Sequence, residues 1–141
     1  MRVVETTFAW DGHSRIYLSG YPGARDWVAN MRAHPTVTVH TVEGLRWYDV
    51  PAEARVITNR EERLPHVLAF IERWASRGGA GLPFRWTLKG IRLNHRLGLP
   101  WWGPFYLARR ILDRMPCVEL TLSGTPVARP AGPPTPTSRP R

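Results

Sequence analysis

The sequence predicts an α+β domain, or a small antiparallel barrel closed by helices. Three observations carry this. Segments with β-type alternation come in pairs separated by short turn signals. Helix-periodic segments stand apart from those pairs instead of alternating with each strand. Two-residue turns join only antiparallel neighbours, which excludes a doubly wound parallel sheet.

The elements follow in order. Val3 to Trp10 is rich in β-branched and aromatic residues, with Val4, Thr6, Phe8 and Trp10 on one face. Asp11-Gly12 is a turn signal and Arg15 to Ser19 reads as the returning strand, so the N-terminus is a hairpin. Gly20, Pro22 and Gly23 break that strand. Ala24 to Ala33 is a short helix, because Trp27, Val28 and Met31 share a face; Pro35 stops it. Thr36 to Val42 is a strand, with Val37 and Val39 pointing one way and Thr38 and His40 the other. After Glu43-Gly44, Leu45 to Ile57 forms one long or broken strand, since Pro51 cannot sit in a central ladder.

Thr58 and Glu61 have the spacing of a capping box. The helix they open, Arg60 to Ser76, carries Leu64, Val67, Leu68, Ile71, Trp74 and Ala75 on one face and ends at Gly78-Gly79. Phe84 to Trp102 reads as irregular, aromatic and basic. Pro104 starts a further helix that runs to about Met115, and Cys117 to Leu122 is the last strand. Gly124 to Arg141 holds six prolines and no bulky apolar residue beyond Val127. Such a segment cannot bury enough surface to offset its ordering entropy, so residues 1–123 are expected to form one domain and residues 124–141 a disordered Pro-rich tail.

Composition narrows the function classes. One cysteine, Cys117, excludes a disulfide framework and a cysteine-rich metal site. No run of about eighteen apolar residues and no signal-peptide pattern is present, so a cytoplasmic location is expected. The net charge of +9 is regional: Met1 to Phe84 nearly balances, whereas Arg85 to Arg114 sets seven basic residues against Asp113 alone. Arginine dominates lysine, which suits bidentate contact with phosphate or carboxylate and equally suits a GC-rich coding bias.

No acid–base, nucleophilic or metal motif stands out, and no metal is expected. The five histidines, at 13, 34, 40, 66 and 95, have no metal-ligand spacing and read as surface or core residues. Cys117 reads as an inert packed thiol. What remains is the constellation Ser19-Gly20-Tyr21-Pro22-Gly23-Ala24-Arg25-Asp26-Trp27-Val28-Ala29-Asn30. Its glycines permit close backbone approach, the helix start offers free N–H groups, and Arg25 adds a fork of donors. Two readings fit: an anion site, or a plain loop leading into a capped helix.

The run from Arg25 to Val39, with Trp27, Asn30, His34-Pro35 and the Val37-x-Val39 strand, resembles the deazaflavin-dependent nitroreductase family. The preceding hairpin and Ala54-Arg55-Val56 before a helix extend the likeness to about Val3–Trp74. The resemblance implies a small antiparallel split β-barrel with flanking helices, related to pyridoxamine-phosphate-oxidase-like flavin-binding proteins. It implies a deazaflavin (coenzyme F420), with FMN as the alternative, held at Ser19, Gly20, Pro22, Gly23, Ala24 and Arg25, with Trp27 and Asn30 buttressing the helix. It implies hydride transfer from the reduced cofactor to a small electron-poor acceptor, a quinone or nitro compound. Tyr21 is the candidate proton donor. The family's Gly-Arg-Lys-Ser-Gly-like segment has no counterpart here, so arginines after Phe84, Arg92 and Arg96 foremost, are expected to supply the phosphate contacts.

Rival readings come from the same residues. Phe84, Arg85, Trp86, Lys89, Arg92, Arg96, Trp101 and Trp102 interleave aromatic and basic side chains as a single-strand nucleic-acid binder or an anionic-surface binder would; a lid over one barrel face, with aromatics inward and arginines outward, fits them better. A non-catalytic cofactor-binding protein, and a homodimer that completes the site, are the remaining alternatives.

Overall fold

The computed structural model describes residues 3–77, 82–101 and 103–132. Strands β1 (Phe8–Trp10) and β2 (Arg15–Ser19) form the N-terminal hairpin, and helix α1 (Asp26–Ala33) leads into β3 (Thr36–Glu43) and β4 (Arg46–Val56). Helices α2 (Arg60–Arg77), α3 (Leu82–Arg96) and α4 (Gly103–Leu112) follow, then β5 (Cys117–Leu122) and β6 (Val127–Arg129). The strands make one antiparallel sheet in the order β1-β2-β5-β4-β3, with β6 also on β4. Among the described residues the sheet is curled into a half-barrel and carries four helices, so the α+β class holds, and β1 and β3 are not paired with each other. Among the described residues, no helix is long and apolar enough to cross a membrane.

β5 is the keystone. It lies between the two hairpins, pairing Tyr17 with Glu119 on one side and Arg55 with Glu119 on the other. Alternation along it supplies both faces of the sheet at once. Val118 and Leu120 join Leu18, Ala52 and Ala54 in one cluster, which α1 covers with Trp27, Val28 and Met31. Cys117 faces the opposite cluster, where Leu64, Val67, Leu68 and Phe70 of α2 meet Leu88 and Ile91 of α3 and Leu112 of α4. Burying a side chain of this kind stabilises by about 1.5–3 kcal/mol, so the two clusters hold the sheet from both sides. Burial also pushes the Cys117 thiol up to about 12, as an inert packed cysteine requires.

Several expectations need correction. The first strand is shorter than Val3 to Trp10, with residues 3–7 outside the ladder. Its turn spans residues 11–14, where Asp11 Oδ1 accepts from the His13 and Arg15 amides at 2.8 and 3.1 Å. β4 runs unbroken through Pro51. The Pro51 carbonyl accepts from the Ser123 amide at 2.9 Å, and the Ala54 amide donates the other way, to Pro35. The missing Pro51 N–H therefore falls on the β5 side, where β5 has ended and β6 has not begun. Helix α2 is capped by Asn59, not Thr58: Asn59 Oδ1 accepts from the Glu61 and Glu62 amides at 2.9 and 3.0 Å. Pro65 sits inside α2 on its exposed side, where the carbonyl it leaves unpaired can meet water.

The stretch expected to be irregular contains the fifteen-residue helix α3. Leu88 and Ile91, three residues apart, are its buried anchors, and the aromatic and basic residues around them hid the periodicity. Part of the Pro-rich tail is ordered as β6, through three pairs with β4 from Trp47 to Asp49. The Gly78-Gly79 stop and residues 133–141 lie outside the described residues.

Candidate functional site

The glycine-rich corner is placed by β2 and α1. Ser19 is buried, and its hydroxyl donates to the Pro116 carbonyl at 2.7 Å. Gly20 lies under Trp27, whose Cζ2 would stand 3.9 Å from a Cβ there. Gly23 has φ +113, a conformation that L side chains rarely adopt, and its amide donates to the Arg114 carbonyl at 2.9 Å. Arg25 turns back on its own loop. Its Nε and Nη2 donate to the Tyr21 carbonyl at 3.2 and 3.1 Å, and Nη2 also reaches the Pro22 carbonyl. Pro22 and Ala24 are exposed. Trp27 packs under α1, while Asn30 is exposed and lends its carbonyl to the His34 amide. Tyr21 is exposed and stands edge-on to Trp74, which α2 presents to solvent although its spacing put it on the apolar face.

A cavity of about 750 Å³ opens beside this corner. It is lined by Arg60 and Glu61 at the start of α2, by Trp101, and by Tyr106, Arg109, Arg110, Asp113 and Arg114 on and after α4. Four arginines thus face two carboxylates, and both carboxylates are already engaged. Arg109 donates to Glu61 Oε1 at 2.7 Å, and its Nε lies 3.0 Å from Asp113 Oδ1. Arg63 donates to the Asp113 carbonyl at 2.7 Å. The Arg109 guanidinium sits 5.1 Å over the Trp101 ring, and its buried Nη1 has no hydrogen-bond partner among the described residues. Arg110 and Arg114 are exposed and make no ion pair among the described residues. The pocket therefore keeps unspent donors, an apolar ring on its wall and a positive field, the combination that receives an anion. The Gly23–Arg114 bond ties the glycine-rich corner to its rim.

The arginines expected to complete a phosphate site lie elsewhere. Arg92 pairs with Glu72 at 2.8 Å, and Arg96 is exposed on α3; neither lines the cavity. Arg109, Arg110 and Arg114 do. They belong to the basic region that the sequence marks out from Arg85 to Arg114, but spacing alone does not say which arginines a helix turns toward its neighbours.

Two further polar clusters lie on the sheet. Glu119 is buried and bonded by Arg55 Nε and Nη2 at 3.2 and 3.3 Å. Burial raises its pKa, but the Arg55 bonds prevail and hold it below the usual carboxylate range. Burial holds Tyr17 above its ordinary value. Tyr17 also stacks on His66 at 3.7 Å, and burial depresses the His66 pKa. At the other end, His40 Nδ1 lies 2.6 Å from Asp49 Oδ1, and Arg129 Nη1 lies 3.2 Å from both Asp49 oxygens. Burial raises the Asp49 pKa, but the bonds from His40 and Arg129 outweigh it. Among the described residues, no group of three or more His, Cys, Asp or Glu side chains could hold a metal ion.

No protein-family model, curated protein or solved structure matches this chain.

Proposed function

We propose that the chain binds a small, anionic, aromatic cofactor in the arginine-lined pocket and acts as a flavin- or deazaflavin-dependent reductase. The observation that carries the reading is the surplus of donors there: Arg110 and Arg114 are exposed and make no ion pair among the described residues. Trp101 and Tyr106 give a planar ring something to rest against. The resemblance of Arg25 to Val39 to the deazaflavin-dependent nitroreductases supports the cofactor class. The curled sheet is compatible with the split barrel of that family, which a second copy of the chain would complete.

In this reading the arginines hold the phosphate-bearing tail, and the Gly20–Gly23 backbone lets the ring system approach the sheet. The cofactor supplies the hydride for a quinone or nitro acceptor. Tyr21, exposed on the corner, is positioned to give a proton to an acceptor arriving from solvent.

The test is the absorbance spectrum and mass of whatever copurifies, followed by titration with FMN, riboflavin and the deazaflavin. FMN or the deazaflavin is expected to bind, with riboflavin, which lacks the phosphate, about tenfold or more weaker. Equal affinity for riboflavin and FMN, or no binding of any of the three, would overturn the reading.

A further inference from the structure

The pocket leaves the outer surface of α3 and α4 unexplained. From Leu82 to Leu112 the chain has no acidic residue and six basic ones. Leu88 and Ile91 of α3 face the core. At about 100° per residue, Trp86, Leu93 and Leu97 fall within a sector of about 40° on the opposite side. They are 69%, 56% and 59% exposed. Arg85, Lys89, Arg92 and Arg96 line one flank of that stripe, and the Lys89 ammonium lies 5.3 Å over the Trp86 ring. α4 repeats the pattern: Leu107 and Ile111, one turn apart, are exposed beside Arg110. The Phe105 side chain of α4 reaches across to α3 at Gly90, where a Cβ would stand 3.3 Å from its ring. Exposed apolar residues gathered on one face mark an interaction site.

We propose that α3 and α4 dock the chain on an anionic lipid surface, the leucines, Ile111 and Trp86 entering the headgroup boundary while the flanking cations meet lipid phosphates. Charge complementarity selects this occupant. A second copy placed face to face would bring Arg85, Lys89 and Arg96 against their own duplicates, with no acidic residue on either helix to relieve them. A nucleic-acid strand needs flat rings to stack its bases, but the centre of this face is largely aliphatic. Aliphatic side chains flanked by lysine and arginine, with tryptophan at one end of the stripe, are what partition into a membrane interface. The inference does not rest on the cofactor reading: Arg110 borders both surfaces, but Arg60, Arg109 and Arg114 have no part in it, and the docking face is tested at Lys89, Leu93 and Leu97, none of which lines the pocket.

The experiment is co-sedimentation of the full chain with vesicles of phosphatidylcholine alone and of equal parts phosphatidylcholine and phosphatidylglycerol. Size in solution and single-stranded oligonucleotide binding are measured alongside. Binding is expected to the mixed vesicles only, and to weaken about tenfold between low and physiological salt. Leu93→Gln with Leu97→Gln removes apolar surface without changing charge. It is expected to weaken vesicle binding about tenfold while thermal unfolding stays unchanged, since both side chains are exposed. Lys89→Glu is expected to weaken it as well and serves as a second, independent variant. Absence of binding to the mixed vesicles overturns the proposal, as does unaltered binding by both variants. So does an oligonucleotide complex or a dimer that the leucine substitutions disrupt while vesicles are ignored.

Discussion

The glycine-rich corner and the arginine-lined pocket both offer cationic and N–H donors, yet they end in opposite states. At the corner the Arg25 guanidinium is spent on the Tyr21 and Pro22 carbonyls, the Ser19 hydroxyl on Pro116, and the Gly23 amide on Arg114. At the pocket the two carboxylates are outnumbered, and Arg110 and Arg114 stay unpaired among the described residues. Composition counts donors, whereas binding depends on those left over after the fold has satisfied itself.

The sharpest way to break this contrast is to remove the unspent cations. Arg110→Ala with Arg114→Ala should lower FMN or deazaflavin affinity about 100-fold, roughly 3 kcal/mol for two charge-assisted contacts. Because neither arginine makes an ion pair among the described residues, the unfolding temperature should hardly move. Titration calorimetry and a thermal melt on the same sample check both halves. Arg25→Ala should do the reverse, lowering stability by about 1–2 kcal/mol through lost bonds to the loop carbonyls and changing affinity less than the double substitution does. If Arg25→Ala instead removes binding with no loss of stability, the corner is the anion site after all.

Gly23→Ala asks how tightly the corner is tied down. Nothing lies within 4 Å of a Cβ at Gly23, so only the φ of +113 is strained. Destabilisation of about 1–2 kcal/mol is expected in urea unfolding, with no cavity or clash involved. The smallest effect is on pH. Burial depresses the His66 pKa, so its contribution to stability is present above the ordinary histidine value, near pH 6.5, and is lost as pH falls toward the lower folded value. Glu119 follows at more acid pH, below the usual carboxylate range, for the same sign of shift. The pH dependence of the melting temperature should therefore show an early acid limb that His66→Phe removes, while the later one persists.

Much of the frame was legible beforehand because it is local. Cys117 to Leu122 has the bounds its alternation predicts, and α2 lies where its apolar stripe places it. The His40–Asp49 contact is not legible in the same way, because the expected Glu43-Gly44 turn would set His40 opposite Trp47. In the structure the turn is Gly44-Leu45, which pairs Glu43 with Arg46 and sets His40 opposite Asp49. A lone histidine in a strand carries no signal until its partner strand is aligned. α3 was missed for a related reason: its buried side is narrow, and exposed tryptophan and leucine side chains blur the helical period.

By itself, the sequence determined the strand and helix segments governed by alternation, turn residues and caps, and the concentration of positive charge after Phe84. Those properties depend on neighbours a few residues away. Only the tertiary structure decided that β5 enters between the two hairpins, that Pro51 falls where no partner strand asks for its N–H, and that the arginines of α4, rather than Arg92 and Arg96, line the cavity. The physical reason is the same in each case. Which backbone and side-chain donors remain free depends on partners distant in the chain, and those are chosen by how the two apolar clusters close around the sheet.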